Sequence, residues 1–228
     1  MTASTALLEA KGLFRRHPDG TRWLLEDASF GLAGKERAAL VGASGSGKTL
    51  LLRALALLDP VDGGEVCWQG RPVRRDAIPA FRARAIYLHQ RPSFDASTVD
   101  ESLRRPFLLA THRRQAFDRS RAIGLLDQLG RDAAFLDKNV RDLSGGEIQI
   151  AALVRAILLD PAVLLLDEPT AALDAKTSAA VERLISDWVD RSPDGRAVVW
   201  VTHDAEQAAR VGKRIVSMKA GKVESGEW

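Results

Sequence analysis

Short apolar runs alternate with stretches of helical periodicity along this 228-residue chain, the pattern of an α/β fold. Six runs read as strands: 38–41, 65–68, 85–88, 163–167, 197–202 and 214–218. Residues 163–166 and 198–201 are apolar without alternation, as expected of parallel strands covered on both faces. Ahead of them, 7–14 and 23–30 read as two strands joined by a turn at His17, Pro18, Asp19 and Gly20, which predicts a small antiparallel flank. Between 90 and 160 the pattern turns helical and rich in arginine. Arg104, Arg105, Arg113, Arg114, Arg119, Arg121 and Arg131 fall there, among Phe107, Leu108, Phe117, Ile123, Leu125, Leu126 and Leu129. The expectation is a single domain, 1–228, with a core from 1–90 and 161–228 and an inserted helical subdomain at 91–160. The arginines read as a solvated face in preference to a contact for a partner or anionic lipid.

One junction between a strand and a helix carries chemistry. Gly42, Ala43, Ser44, Gly45, Ser46, Gly47, Lys48 and Thr49 follow the run 38–41 and precede the helical run 50–55, in the form G-x-x-x-x-G-K-[ST]. Glycines let the backbone take positive φ and come close to phosphate oxygens. Successive N–H groups then point inward, and a helix opening near Lys48 adds its positive end. Lys48 supplies a cation for the outer phosphates, and the Thr49 hydroxyl supplies a ligand for Mg²⁺. A Gly/Ser linker would not be framed by a buried strand and an apolar helix.

Downstream, the apolar run 163–166 ends in two adjacent carboxylates, Asp167 and Glu168. Burying charge is costly without compensation, so a cation is expected nearby. Asp167 is placed to hold Mg²⁺ through water. Glu168, turned to the other side of the strand by alternation, is placed to take a proton from an attacking water. His203 ends the run 197–202 and heads a helical stretch at 204–210, and ligands sit at such strand ends in parallel sheets. From there it can donate to a γ-phosphate. Ser144, Gly145 and Gly146 precede the helical stretch 148–159 and form a second anion-binding helix start.

Composition narrows the setting. Apolar residues make up 46% and charged residues 28%, ordinary for a globular protein, and the net charge of +3 does not by itself argue for nucleic-acid binding. Cys67 is the only cysteine, so no intrachain disulfide is possible and a reducing compartment fits. No run approaches the 18 or so apolar residues of a membrane span. The stretch from Met1 to Ala10 lacks a basic n-region and a sustained apolar core, so secretion is not expected. A cytoplasmic protein is, with another chain doing any spanning of a membrane.

Taken with Leu143, Ser144, Gly145, Gly146 and Glu147, and with Leu164 through Thr170, the phosphate loop makes the chain resemble an ABC-type ATPase. Such a protein is the nucleotide-binding subunit of an ATP-binding cassette transporter, and the resemblance runs over essentially the full length. It implies a P-loop NTPase core with a mostly parallel sheet, an antiparallel flank and a helical insert. By position, 42–49 corresponds to the Walker A loop, Asp167 to the Walker B aspartate and Glu168 to the catalytic glutamate. Gln90, after Tyr87, Leu88 and His89, corresponds to the Q-loop glutamine, with a catalytic role and a contact to the metal. Residues 143–147 correspond to the signature, Asp174 to the D-loop and His203 to the switch histidine. ATP and Mg²⁺ are the implied cofactors. The implied partners are a membrane-spanning permease and a second copy, joined head to tail on ATP binding so that Ser144, Gly145 and Gly146 complete the other copy's site. Nucleic acid is not among them. The location implied is peripheral, on the inner face of the cell membrane.

Three positions depart from the family pattern. His17 stands roughly where an aromatic stacks on adenine, with Trp23 as the other candidate. Leu50, within the nucleotide-binding stretch, replaces a second hydroxyl, and Ile150 stands where an arginine commonly follows the signature. The leading functional expectation is ATP hydrolysis driving transport; a nucleotide-gated regulator of a membrane complex is the alternative. Ribosome and DNA-repair ATPases of the superfamily usually carry two cassettes or a long coiled-coil insert, which 228 residues do not hold. Residues 87–107, 138–147 and 199–204 are similar to iron-exporter ATPases. Scarce cysteine and histidine leave any specificity for cargo to the membrane subunit.

Overall fold

The uninterrupted apolar runs become the middle of a six-stranded sheet. The structure is a computed structural model that describes residues 6–112, 115–193 and 195–224. The expectations placed on Met1 to Thr5 and on Arg113 and Arg114 lie outside the described residues. In chain order, β1 (Leu8–Arg16) and β2 (Trp23–Leu32) pair as a hairpin, its turn closed by His17 N donating to Arg22 O at 2.9 Å. β3 (Arg37–Val41) leads through the glycine-rich loop into α1 (Lys48–Leu55). β4 (Gly63–Trp68), β5 (Arg71–Pro72), α2 (Ile78–Arg82) and β6 (Ala85–Leu88) follow. The segment up to the next strand holds α3 (Val99–Arg104), α4 (Arg119–Gln128) and α5 (Gly145–Leu158). β7 (Val163–Asp167), α6 (Ala175–Asp190), β8 (Ala197–Val201), α7 (Ala205–Val211), β9 (Arg214–Lys219) and β10 (Lys222–Glu224) complete the order.

The large sheet runs β10-β9-β3-β8-β7-β6, parallel throughout except for β10. Each central strand hands alternate side chains to two separate cores. Leu164 and Leu166 of β7, with Val198 and Trp200 of β8, join the core under α5 and the helical segment. Val163 and Leu165, with Ala197, Val199 and Val201, join the core under α1 and the antiparallel sheet. An unbroken apolar run is what a strand covered on both faces requires.

The smaller sheet, β2-β1-β4-β5, is antiparallel. The run at 65–68 therefore belongs to the flank, beside β1, and not to the parallel series. Asp59 staples flank to core. It accepts from Arg53 of α1 at 2.9 and 2.6 Å and from Arg15 of β1 at 2.7 Å.

Four arginines of the helical segment, Arg104, Arg105, Arg119 and Arg121, pair with carboxylates of the same segment. Arg104 and Arg119 reach Asp100 at 3.0 and 3.2 Å, Arg105 reaches Glu101 at 3.3 Å, and Arg121 reaches Asp160 at 3.5 Å. Such exposed pairs add little stability but favour the reading as solvated surface. Among the described residues, no helix is long and apolar enough to cross a membrane.

Candidate functional site

The parallel strands β3, β6, β7 and β8 all point their carboxyl ends the same way, so the segments that leave them meet there. The phosphate loop leaves β3, Gln90 lies just past β6, Glu168 follows β7 and His203 follows β8. Ser44, Gly45, Gly47, Lys48, Thr49, Leu50, Gln90, Glu168 and His203 line one cavity of about 440 Å³.

The loop needs its glycines. At Gly42, φ is 149°, and a Cβ there would lie 2.3 Å from Met218 O. Gly47, at φ 108°, is the N-cap of α1, so the helix begins at Lys48 with its first N–H groups toward the cavity. Lys48 is buried and lies back along the loop, Nζ donating to Gly42 O at 2.8 Å and Ala43 O at 2.9 Å. Ser46 lies outside the cavity lining, its hydroxyl buried against the Gly42 turn, while its backbone O accepts from Gly221 N at 2.9 Å.

Asp167 and Glu168 separate as expected, though by another cause. The strand stops at Asp167, and Glu168 takes a left-handed φ of 46°, its N–H donating to Val201 O at 3.2 Å. The two carboxylates diverge because the chain turns, not because a pleat alternates. Asp167 is 2% exposed, and its Oδ2 accepts from Thr49 Oγ1 and Tyr87 OH, each at 2.9 Å. Burial first, and the Asp167 carboxylate second, push the Tyr87 phenol far above its ordinary range, so it stays protonated and donates. Glu168 Oε2 accepts from Gln90 Nε2 at 2.9 Å, and Oε1 lies 3.6 Å from the exposed His203 Nδ1.

The signature segment lies elsewhere. Its glycines are the first turn of α5 itself, with Ser144 as the N-cap, and not a prelude to a helix starting at 148. Ser144 Oγ accepts from Glu147 N while Glu147 Oε2 accepts from Ser144 N, a reciprocal cap. The Lys138 ammonium at 2.6 Å, ahead of the Ser144 N–H, holds the Glu147 carboxyl down at about 2. Ser144 and Gly145 are exposed and outside the cavity lining. Asp174 caps α6, accepting from Thr177 N at 2.9 Å.

The aromatic candidates stand apart from the lining. His17 sits in the β1–β2 turn, Nδ1 2.8 Å from Asp19 Oδ1. Trp23 packs edge-on against Phe14, with the Arg16 guanidinium 4.4 Å from its ring centre. Ile150 is fully buried in the core under α5.

Two residues were not singled out from the sequence. Tyr87 holds Asp167, and its only sequence signal is a hydroxyl inside a buried strand. Gln149 is 3% exposed on α5, and its signal is one polar residue within an apolar helical run.

Known proteins similar in sequence to this chain are numerous. A family model described as "ABC transporter" matches residues 25–171. The probable anion import ATP-binding protein of Haloferax volcanii is 35% identical across 98% of this chain and 81% of its own length. The sulfate/thiosulfate import ATP-binding protein CysA of Bordetella parapertussis is 36% identical across 95% of this chain and 60% of its own. The spermidine/putrescine import ATP-binding protein PotA of Chromobacterium violaceum is 33% identical across 96% and 59%. This chain thus spans 60% of CysA and 59% of PotA. In three dimensions it matches the ATP-binding cassette MJ0796, a dimer solved after hydrolysis with ADP and phosphate bound. The TM-score is 0.85 at 28% identity, over 96% of this chain and 97% of that one. Matched by the family model over more than half its length, this chain belongs to the ABC transporter family, as one of its ATP-binding, ATP-hydrolysing cassettes.

Proposed function

We propose that this cassette drives solute across a membrane through a separate spanning protein, and that two copies close head to tail around two shared triphosphates. The observation that carries the reading is the division of the chemistry. Lys48, Thr49, Gln90, Glu168 and His203 line one cavity, with Asp167 behind Thr49, while the exposed start of α5 stands outside it. Its N–H groups suit an anion held by another copy. The dimeric MJ0796 cassette supports that arrangement.

Within one copy, Lys48 offsets the charge of the outer phosphates and the loop N–H groups orient them. Glu168 accepts the proton of the attacking water, Gln90 steadies its carboxylate and His203 faces the outer phosphate. The Thr49 hydroxyl and Asp167 carboxylate, 2.9 Å apart, are hard oxygen donors of the type Mg²⁺ takes, and they fit it. When bound, the ion would be held by Thr49 and Asp167 and would offset the charge of the outer phosphates. Gln90 Oε1 is left free to approach the metal while Nε2 stays on Glu168. The His17 ring is the one we assign to adenine, since Arg16 and Phe14 occupy Trp23.

The spanning partner meets the helical insert at 91–160, where Leu108 is 80% and Leu109 58% exposed. The cassette then sits on the inner face of the membrane. Cargo is chosen by the partner: ATP-binding proteins named for import of anions, of sulfate or thiosulfate and of spermidine or putrescine are all similar to this chain, and the resemblance to iron-exporter ATPases points to yet another solute. Vesicles containing the membrane protein encoded beside this one test the reading. ATP should drive solute flux, and Glu168→Gln should abolish flux while slowing hydrolysis at least ~10²-fold. Hydrolysis without flux would favour a regulatory cassette.

A further inference from the structure

We infer that Gln149 is a positioning residue for hydrolysis, setting the backbone from which Gln90 and Glu168 project and tying both to the helix that opens at the signature. The inference rests on Glu168 as the base. Gln149 is 3% exposed on an otherwise apolar stretch of α5, where an amide is costly unless its polar atoms are paired. Both ends are paired, and none of the partners belongs to α5. Nε2 donates to Gln90 O at 3.1 Å and to Glu168 O at 3.4 Å, and Oε1 accepts from Ala172 N at 3.1 Å.

One side chain on α5 therefore joins the two segments that leave β6 and β7. The Glu168 peptide it holds is the one with the left-handed φ of 46°, and the Glu168 carboxylate in turn accepts from the Gln90 amide at 2.9 Å. A slip of either peptide re-aims the base, and misplacement by about 1 Å can cost ~10²-fold in rate. Gln149 itself does not line the cavity, so nucleotide affinity does not depend on it. Because α5 opens at Ser144, whatever seats the signature also bears on Glu168 through this amide.

Gln149→Met keeps the volume and removes all three bonds. MgATP affinity, read by titration of a fluorescent nucleotide, should stay within about twofold, while kcat falls by about tenfold or more. Added to Glu168→Gln, the same change should leave the residual rate within about twofold, since the two act as one unit. Three results would overturn the inference: kcat close to wild type, affinity and kcat falling in step, or an equal further loss without the carboxylate. Should Gln149→Met fail to fold, Gln149→Glu keeps the shape and the acceptor toward Ala172 N but loses the donor, and the same criteria apply. A large Glu168→Gln effect, measured first, secures the base assignment independently.

Discussion

Adjacent glycines at 145 and 146 open the same helix yet answer to different constraints. A Cβ on Gly146 would lie 2.8 Å from Ala172 O, whereas on Gly145 it would meet only Ala172 Cβ at 3.7 Å. Gly146→Ala should therefore lose about 1–3 kcal/mol in denaturant unfolding, as overpacking does. Gly145→Ala should hold or gain up to about 1 kcal/mol, the helical preference for alanine. Equal losses at both positions would contradict the packing. Such differences cannot be read from a sequence, which shows two like residues. Lys48, Thr49, Asp167, Glu168 and His203 were legible because loop spacing and strand ends dictate where they lie. Tyr87 and Gln149 were not, since a buried hydroxyl or amide announces that it needs partners without naming them.

Among the elements, the covered strands β7 and β8 are readable from unbroken apolar runs. The pattern marks the strand at 65–68 but not its sheet, because alternation marks a strand and not its neighbour. β5 and β10, of two and three residues, are too short to leave a pattern. The join between α1 and β1 is hidden for a related reason: Asp59, Arg53 and Arg15 look like ordinary surface charges in sequence. Arg53, ahead of Arg15, holds the Asp59 carboxyl at about 2, down from its ordinary 3.8. A depressed carboxyl contributes stability above its unfolded value and loses it as pH falls toward the folded one. Asp59→Asn should cost about 1.5–3 kcal/mol at neutral pH, the range for charge-assisted hydrogen bonds. Thermal melts of variant and wild type should converge as pH drops from about 4 to about 2. A gap independent of pH would assign the loss to packing instead.

At the scale of the whole molecule, the head-to-tail arrangement we propose gives each copy two half-sites and no complete one. Glu168→Gln saturated with MgATP should scatter as two 24.8-kDa chains, and the nucleotide-free protein as one. Monomers under both conditions would sink the head-to-tail arrangement. A second copy is what the signature's resemblance implies, and the exposed helix start apart from the cavity supports that proposal without being visible in the sequence. The division of each central strand between two cores has a last consequence, for how such a chain can change over time. A one-residue insertion or deletion inside β7 would exchange its layers and swing Asp167 away from Thr49. Gains and losses of length can accumulate in surface turns, whereas the buried strands must keep their count.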